Sequence, residues 1–387
     1  MKMKKTDKVR EYCCDGEMIN NNENDPVLQA CDSQSEGPVY EEYDDPGPET
    51  IFFVYKSMRI DDEWSIKLPR GFIWWGHQHL QQVWADDCRR DAGVDVTLMH
   101  VETDFLRNVG DSQQTYEALN ELNSGASQFA FVYYSKQRSI RLHSTVYTHR
   151  QNLEWSKRLF MKAVGLQVSY AERMAESFSR LFTGSESDTS AHPGSGFRQE
   201  KDEMVGLIDT FFIPLAEIEP PIESDIFKSA EKILKAQFMV TSGDNGLTAE
   251  FPFSGDEPAC VRLTQGKPGV VTSLFMVNSV EGHPLLGRGL MMRMILPVSH
   301  GRKRGLKTAM ALNGLESTEW VRCHLNGAWY VDDRSNLVFI SFFPVAGLRQ
   351  GELENLAYSF ALRSKWAGDV LAEAEVNHHR QTNGMVH

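Results

Sequence analysis

The sequence has no apolar run of membrane-spanning length, no cysteine pair at C-x-x-C spacing and no excess of basic charge. Each absence excludes something. A bilayer-crossing helix needs about 20 consecutive apolar residues, so no membrane partner is expected. The six cysteines (Cys13, Cys14, Cys31, Cys88, Cys260, Cys323) do not fall at zinc-ligand spacing. Reduced thiols in a soluble cytoplasmic protein are the expectation, because MKMKKTDK is followed by charged and Asn-rich residues rather than an apolar signal core. The net charge is −13, which gives nucleic acid no general electrostatic pull. Neither G-x-S-x-G nor H-E-x-x-H occurs. The segment GHPLLGRG (282–289) lacks the Gly-Lys-Ser/Thr ending of a phosphate-binding loop and reads as a strand connection. Cys323 and His324 are adjacent, and neighbours on a strand face opposite ways, so they cannot pair as nucleophile and base. No catalytic set, metal site or cofactor site is expected, and the chain reads as a non-enzyme.

What is present is unevenly distributed. Residues 1–50 hold five Lys/Arg and thirteen Asp/Glu and almost no large aliphatic side chains. They read as a disordered acidic leader, since they cannot bury enough apolar surface to offset ordering entropy. Beyond it, 41% hydrophobic and 10% aromatic content overall suffices for a sizeable core. IFFVY at Ile51 is rich in β-forming residues and reads as a strand. Strands are also expected over 72–75, His79 to Ala85 and 94–106, then a helix after Gly110. A hairpin follows over Phe129–Tyr134 and Ile140–Tyr147. A helix from Asn152 is expected to stop at Gly165, with SYAE (169–172) capping the next. TGSESDTSAHPGSG opens a linker over 184–221. From Ser224 a helix, four short strands, a helix, a hairpin and a last helix follow. A flexible tail is expected over 373–387.

Two of these stretches resemble each other. ALNELN at Ala118 leads into an apolar hairpin and a helical tail, and ALNGLE at Ala311 leads into the same succession. Internal duplication is the reading, with units 51–183 and 222–372. The fold class expected is α+β: two similar units, each an antiparallel sheet with helices packed on one face.

The order of helix, strands, L-N-x-L-N helix, hairpin and closing helix resembles the YbjN-like and type III secretion (Tir-type) chaperone-like fold. Leu119-Asn120-Glu121-Leu122-Asn123 carries the pattern; the second copy keeps Leu312-Asn313-Gly314-Leu315 and has Glu316 in the last position. The resemblance implies a pseudo-dimer within one chain, a possible homo-oligomer, and a polypeptide client or partner protein.

Aromatic strand residues are the candidate anchors for such a partner: Trp74, Trp75, Phe129, Phe131, Trp320 and Trp329. The function expected is a non-enzymatic protein-binding module of chaperone or adaptor type, taking an extended or amphipathic segment. One competing reading is a metal-dependent hydrolase using His77, His79 and His100, with the first two on one face of a strand. The other is a structural protein whose halves oligomerise. HGRKRGLK (300–307) reads as an exposed basic loop, a contact for an acidic segment.

Overall fold

The computed structural model describes residues 45–384 apart from 92, 126–127, 212–223, 254–270, 279–287, 300, 320–325, 345–347 and 349–350. Among the described residues the first half contains α1 (Pro46–Ser57), β1 (Ser65–Leu68), β2 (Gly71–Trp75), β3 (Leu80–Ala85), β4 (Arg89–Asp91), β5 (Val94–Arg107), α2 (Gln113–Gly125), β6 (Ala130–Tyr134), β7 (Ser139–His149) and α3 (Leu153–Ser179). A connecting segment carries β8 (Glu186–Ser187) and α4 (Glu203–Phe211). The second half contains α5 (Ser224–Leu234), β9 (Met239–Gly243), β10 (Gly246–Pro252), β11 (Val271–Asn278), β12 (Gly289–Ser299), α6 (Arg302–Thr318), β13 (Ala328–Val331), β14 (Asn336–Pro344) and α7 (Glu352–Gly384).

Both sheets are antiparallel and share one connectivity. The first runs β1-β2-β3-β5-β7-β6, with β4 and β8 added on β5; the second runs β9-β10-β11-β12-β14-β13. The fold is therefore α+β in two similar units. The register makes the match residue by residue. Val101 pairs with Ser144 in the first sheet and Met292 with Ser341 in the second. Ser144 donates to the Gln128 carbonyl and Ser341 to the Asn326 carbonyl.

The segment expected as a strand at Ile51 is helix α1. Asp45 caps it by accepting from the Gly47 amide at 2.9 Å, and Pro46 stands at the first helical position. Ile51, Val54, Tyr55 and Met58 then share one buried stripe. Local capping outweighs the β-propensity of IFFVY, and residues 45–50 of the expected leader belong to this helix. The leader's first 44 residues lie outside the described ones. Helix α3 also departs from expectation, running unbroken through Gly165 and SYAE. At Gly165 the side chain of Ile208 from α4 comes close: a Cβ there would lie 3.0 Å from Ile208 Cδ1. The expected linker is structured over 184–211 and packs on the first unit, and the expected tail is helical to Gly384.

At the join a helix of each unit bridges to the sheet of the other. Helix α2 packs against β13 of the other half, and α6 reaches β6 and β7. The basic stretch read as a loop is the first turns of α6. Its Arg302 meets Glu117 of α2 at 2.8 Å, and Lys307 lies over the Tyr116 ring at 5.9 Å.

Candidate functional site: sheet edges and outer faces

The structure takes five of the six expected anchors off the surface. Trp74, Trp75, Phe129, Phe131 and Trp329 are all buried, while Trp320 lies outside the described residues. Trp74 and Trp75 point to opposite faces of β2, as strand geometry requires, but both faces are covered there. Phe129 and Phe131 sit edge-on to each other at 5.6 Å and pack on Tyr170 of α3. Trp329 lies against Phe339, and its indole N–H donates to Glu316 at 2.5 Å. These side chains are core in the closed chain and do not serve as exposed anchors.

Sheet edges are the other route to a polypeptide. The edges of β6 and β13 are already occupied by the asparagines of the repeated motif. Asn123 accepts from the Phe131 amide at 2.8 Å and donates to its carbonyl at 3.2 Å. Asn313 does the same to Trp329 at 2.8 and 2.9 Å. Asn120 crosses to the other half and clamps Val331 at 2.7 and 2.9 Å. The motif was visible in the sequence; its role as an edge clamp was not. The signal is a pair of asparagines one helical turn apart, just before an apolar hairpin.

The three candidate histidines are not brought together. His77 bonds to Glu172 of α3 at 2.7 Å. His79 is buried, 3.0 Å from the Asp104 carbonyl and 3.3 Å from Ser187 Oγ. His100 stacks flat on Trp84 with centroids 4.8 Å apart. Among the described residues no three His, Cys, Asp or Glu side chains converge as a metal site.

His100 instead belongs to a buried polar cluster on the outer face of the first sheet. Arg141 bonds to Glu102 at 2.6 Å and lies 3.1 Å from Asp104, while the Tyr134 hydroxyl donates to Glu102. Burial alone would raise the Glu102 pKa, but the Arg141 charge and the hydrogen bonds from Arg141 and Tyr134 outweigh it and the net shift is downward. Burial pushes His143 down to about 3, against the pull of Glu102, so it is neutral at pH 7. The cluster holds a saturated carboxylate and a neutral imidazole, and among the described residues no serine or cysteine side chain bonds to either histidine.

The second sheet reads differently at matching positions. Where the first has His100, Glu102, Asp104, Arg141 and His143, the second has Met291, Arg293, Ile295, Val338 and Ile340. Its outer face over β9–β12 is open among the described residues: Met239 is 67% exposed and Val277 41%, with Phe275, Met291 and Ile295 half-buried beside them. Strand β9 ends the sheet, and among the described residues no strand pairs its free side.

Fold and edges together define a tandem α+β protein of two like-connected sheet-and-helix units. No family model, no curated protein and no solved structure matches the chain. Among the described residues no helix is long and apolar enough to cross a membrane.

Proposed function

We propose that the chain is a non-enzymatic, cytoplasmic polypeptide-binding protein of chaperone or adaptor type, a tandem relative of the YbjN-like and Tir-type chaperone-like proteins. It takes an extended segment along β9 and the adjoining outer face of the second sheet. The observation that carries this reading is the unpaired β9 edge with Met239 exposed on its outer face, and the apolar side chains of Phe275, Val277, Met291 and Ile295 on the same face beyond β10. A strand added at the edge gains backbone hydrogen bonds and meets Met239, and the rest of the segment turns across β10 to lay its side chains on the apolar residues of β11 and β12. The contrast within the molecule supports it: β6 and β13 are closed by asparagines, whereas β9 has no clamp among the described residues.

The test is binding of a short fluorescein-labelled peptide of alternating valine and threonine. Val277→Lys and Met239→Lys both place a charge on the exposed stripe without touching the core. Each is expected to weaken binding about tenfold, the scale of losing one buried aliphatic contact. Equal affinity in native and variant proteins, or no binding by the native chain, sinks the reading. If the same substitutions instead dissociate an oligomer, the occupant is a second copy of the chain.

A further inference from the structure

The segment joining the two units covers the first sheet in a way that its composition does not explain. Beneath it lies a separate apolar cluster: Ile73, Trp75 and Leu80, with Trp64, Ile66 and Leu68 around them. Above it lies GSESDTSAHPGSG (184–196), in which Ala191 and Pro193 are the only apolar side chains besides glycine. A permanent cover over a tryptophan would normally be apolar, because matching apolar surfaces is what stabilises a core. Here the cover holds by polar contacts. Ser190 Oγ accepts from Trp75 Nε1 at 3.1 Å, and the His192 ring meets Trp75 edge-on at 4.8 Å and Trp64 at 5.8 Å.

The backbone of this segment lies as a ligand strand would. Glu186 and Ser187 pair antiparallel with Arg107 and Leu106. The amides of Asp188 and Ser190 donate to the carbonyls of Phe105 and Gln78, each at 3.0 Å. The segment is bounded by Gly184 and Gly196, at φ +79° and +77°, a backbone region that glycine enters freely. Neither glycine has a neighbour within 4 Å of where a Cβ would be, so both ends have room to turn. Beyond Gly196 the chain is fixed. Arg198 is buried and bonds to the Trp75 carbonyl at 2.9 Å and to Asp202 at 3.2 Å, and its guanidinium lies over the Trp64 ring at 5.3 Å.

We propose that residues 185–195 are a displaceable strap over an apolar groove on the first sheet, and that this groove takes an extended, apolar-rich segment of a partner polypeptide in the strap's place. The inference rests on the polypeptide-binding reading above and adds a second, guarded site to it. The strap shows that the groove accepts an extended backbone through Phe105 and Gln78. The floor of Trp75, Ile73 and Leu80 suits aliphatic side chains better than the serine and histidine now on it. Peeled away, the strap is polar enough to remain solvated. Trp75 then becomes a true anchor, and the chain can hold a client on each sheet.

Two variants of the full chain test this in opposite directions. Ser190→Ala with His192→Ala removes the strap's grip on Trp75 while leaving the Arg198 anchor. Arg107→Cys with Glu186→Cys places cysteines at directly opposed positions of the β5–β8 register, where an oxidised bridge pins the strap and reduction frees it. In the loosened variant, amide hydrogen exchange at 66–80 is expected to rise at least about tenfold. The Val/Thr peptide is expected to bind it at an added site and to protect those same amides. In the pinned variant the added site is expected to vanish when oxidised and return when reduced. Unchanged exchange and no added binding in the loosened variant overturn the strap, whatever the second sheet does. Conversely, added binding that survives Val277→Lys upholds the strap even if the site on the second sheet fails.

Discussion

Glu316 stands where the first repeat has Asn123, and the exchange gives it different work. It accepts from Trp329 Nε1 at 2.5 Å and from Arg363 at 2.8 and 2.5 Å, while Arg363 is 0% exposed and stacks on Phe339 at 3.8 Å. Taking one ion from a buried pair strands the other in low dielectric. Glu316→Ala is therefore expected to cost about 3–5 kcal/mol, read by urea unfolding. Glu316→Leu with Arg363→Met is expected to recover most of that loss, because neither charge then remains buried. His143 makes a separate prediction. Its folded pKa of about 3 lies below the ordinary value of 6.5, so between these the unfolded chain binds a proton that the folded chain refuses. Stability from this group is full above pH 6.5 and falls as the pH drops towards 3. Between pH 7 and pH 5 the loss is about 2 kcal/mol. His143→Gln is expected to flatten the stability profile by that amount over that window, and an unchanged slope would remove the neutral-imidazole account.

The edge clamps act at the scale of elements. Asn123→Ala leaves the Phe131 amide and carbonyl without their partner inside the molecule, which costs about 1–3 kcal/mol per unsatisfied group. Hydrogen exchange of the Phe131 amide is expected to speed up while amides in β2 and β3 stay protected. Equal speeding in all three would mean global loosening. These elements also show what a sequence can reveal. Strands β5, β6 and β7 follow the period-2 pattern of their side chains, because each buries at least one clean face. Helix α1 was hidden: IFFVY favours a strand, and the deciding residues, Asp45 and Pro46, precede it in a stretch that reads as a polar leader. Gly165 was misread because a glycine that ends a helix and one that admits a neighbouring helix look alike until Ile208 is seen against it. The burial of the five described anchor residues has a related cause. Alternation correctly sends Trp74 and Trp75 to opposite faces, but whether an outer face is covered depends on residues more than a hundred positions away.

At the scale of the whole molecule the two units are not independent beads. Asn120 holds the edge of β13, Gln128 donates to the Phe342 carbonyl, Asn326 donates to Gln128 at 3.4 Å, and Arg302 pairs with Glu117. All but the Arg302 pair are buried, and separating the halves would exchange each of these bonds for one to water. Separation thus loses about 0.5–1.5 kcal/mol net for each bond, and it also exposes the surface packed between α2 and β13 and between α6 and β6. The intact chain is accordingly expected to unfold in one calorimetric transition despite containing two repeats. Removing the crossing amides with Asn120→Ala and Gln128→Ala lowers that coupling and is expected to split the transition in two. The second half should melt first. Its β9–β12 face is half-exposed and Ile233 of α5 is also exposed, whereas the first half is wrapped by the strap and α4. Tryptophan fluorescence assigns the order, since Trp329 reports the second half and Trp74, Trp75 and Trp84 the first. Two transitions in the native chain would mean that the halves are not coupled, whereas one in the double variant would mean that the helices packed across the join rather than the amides carry the coupling.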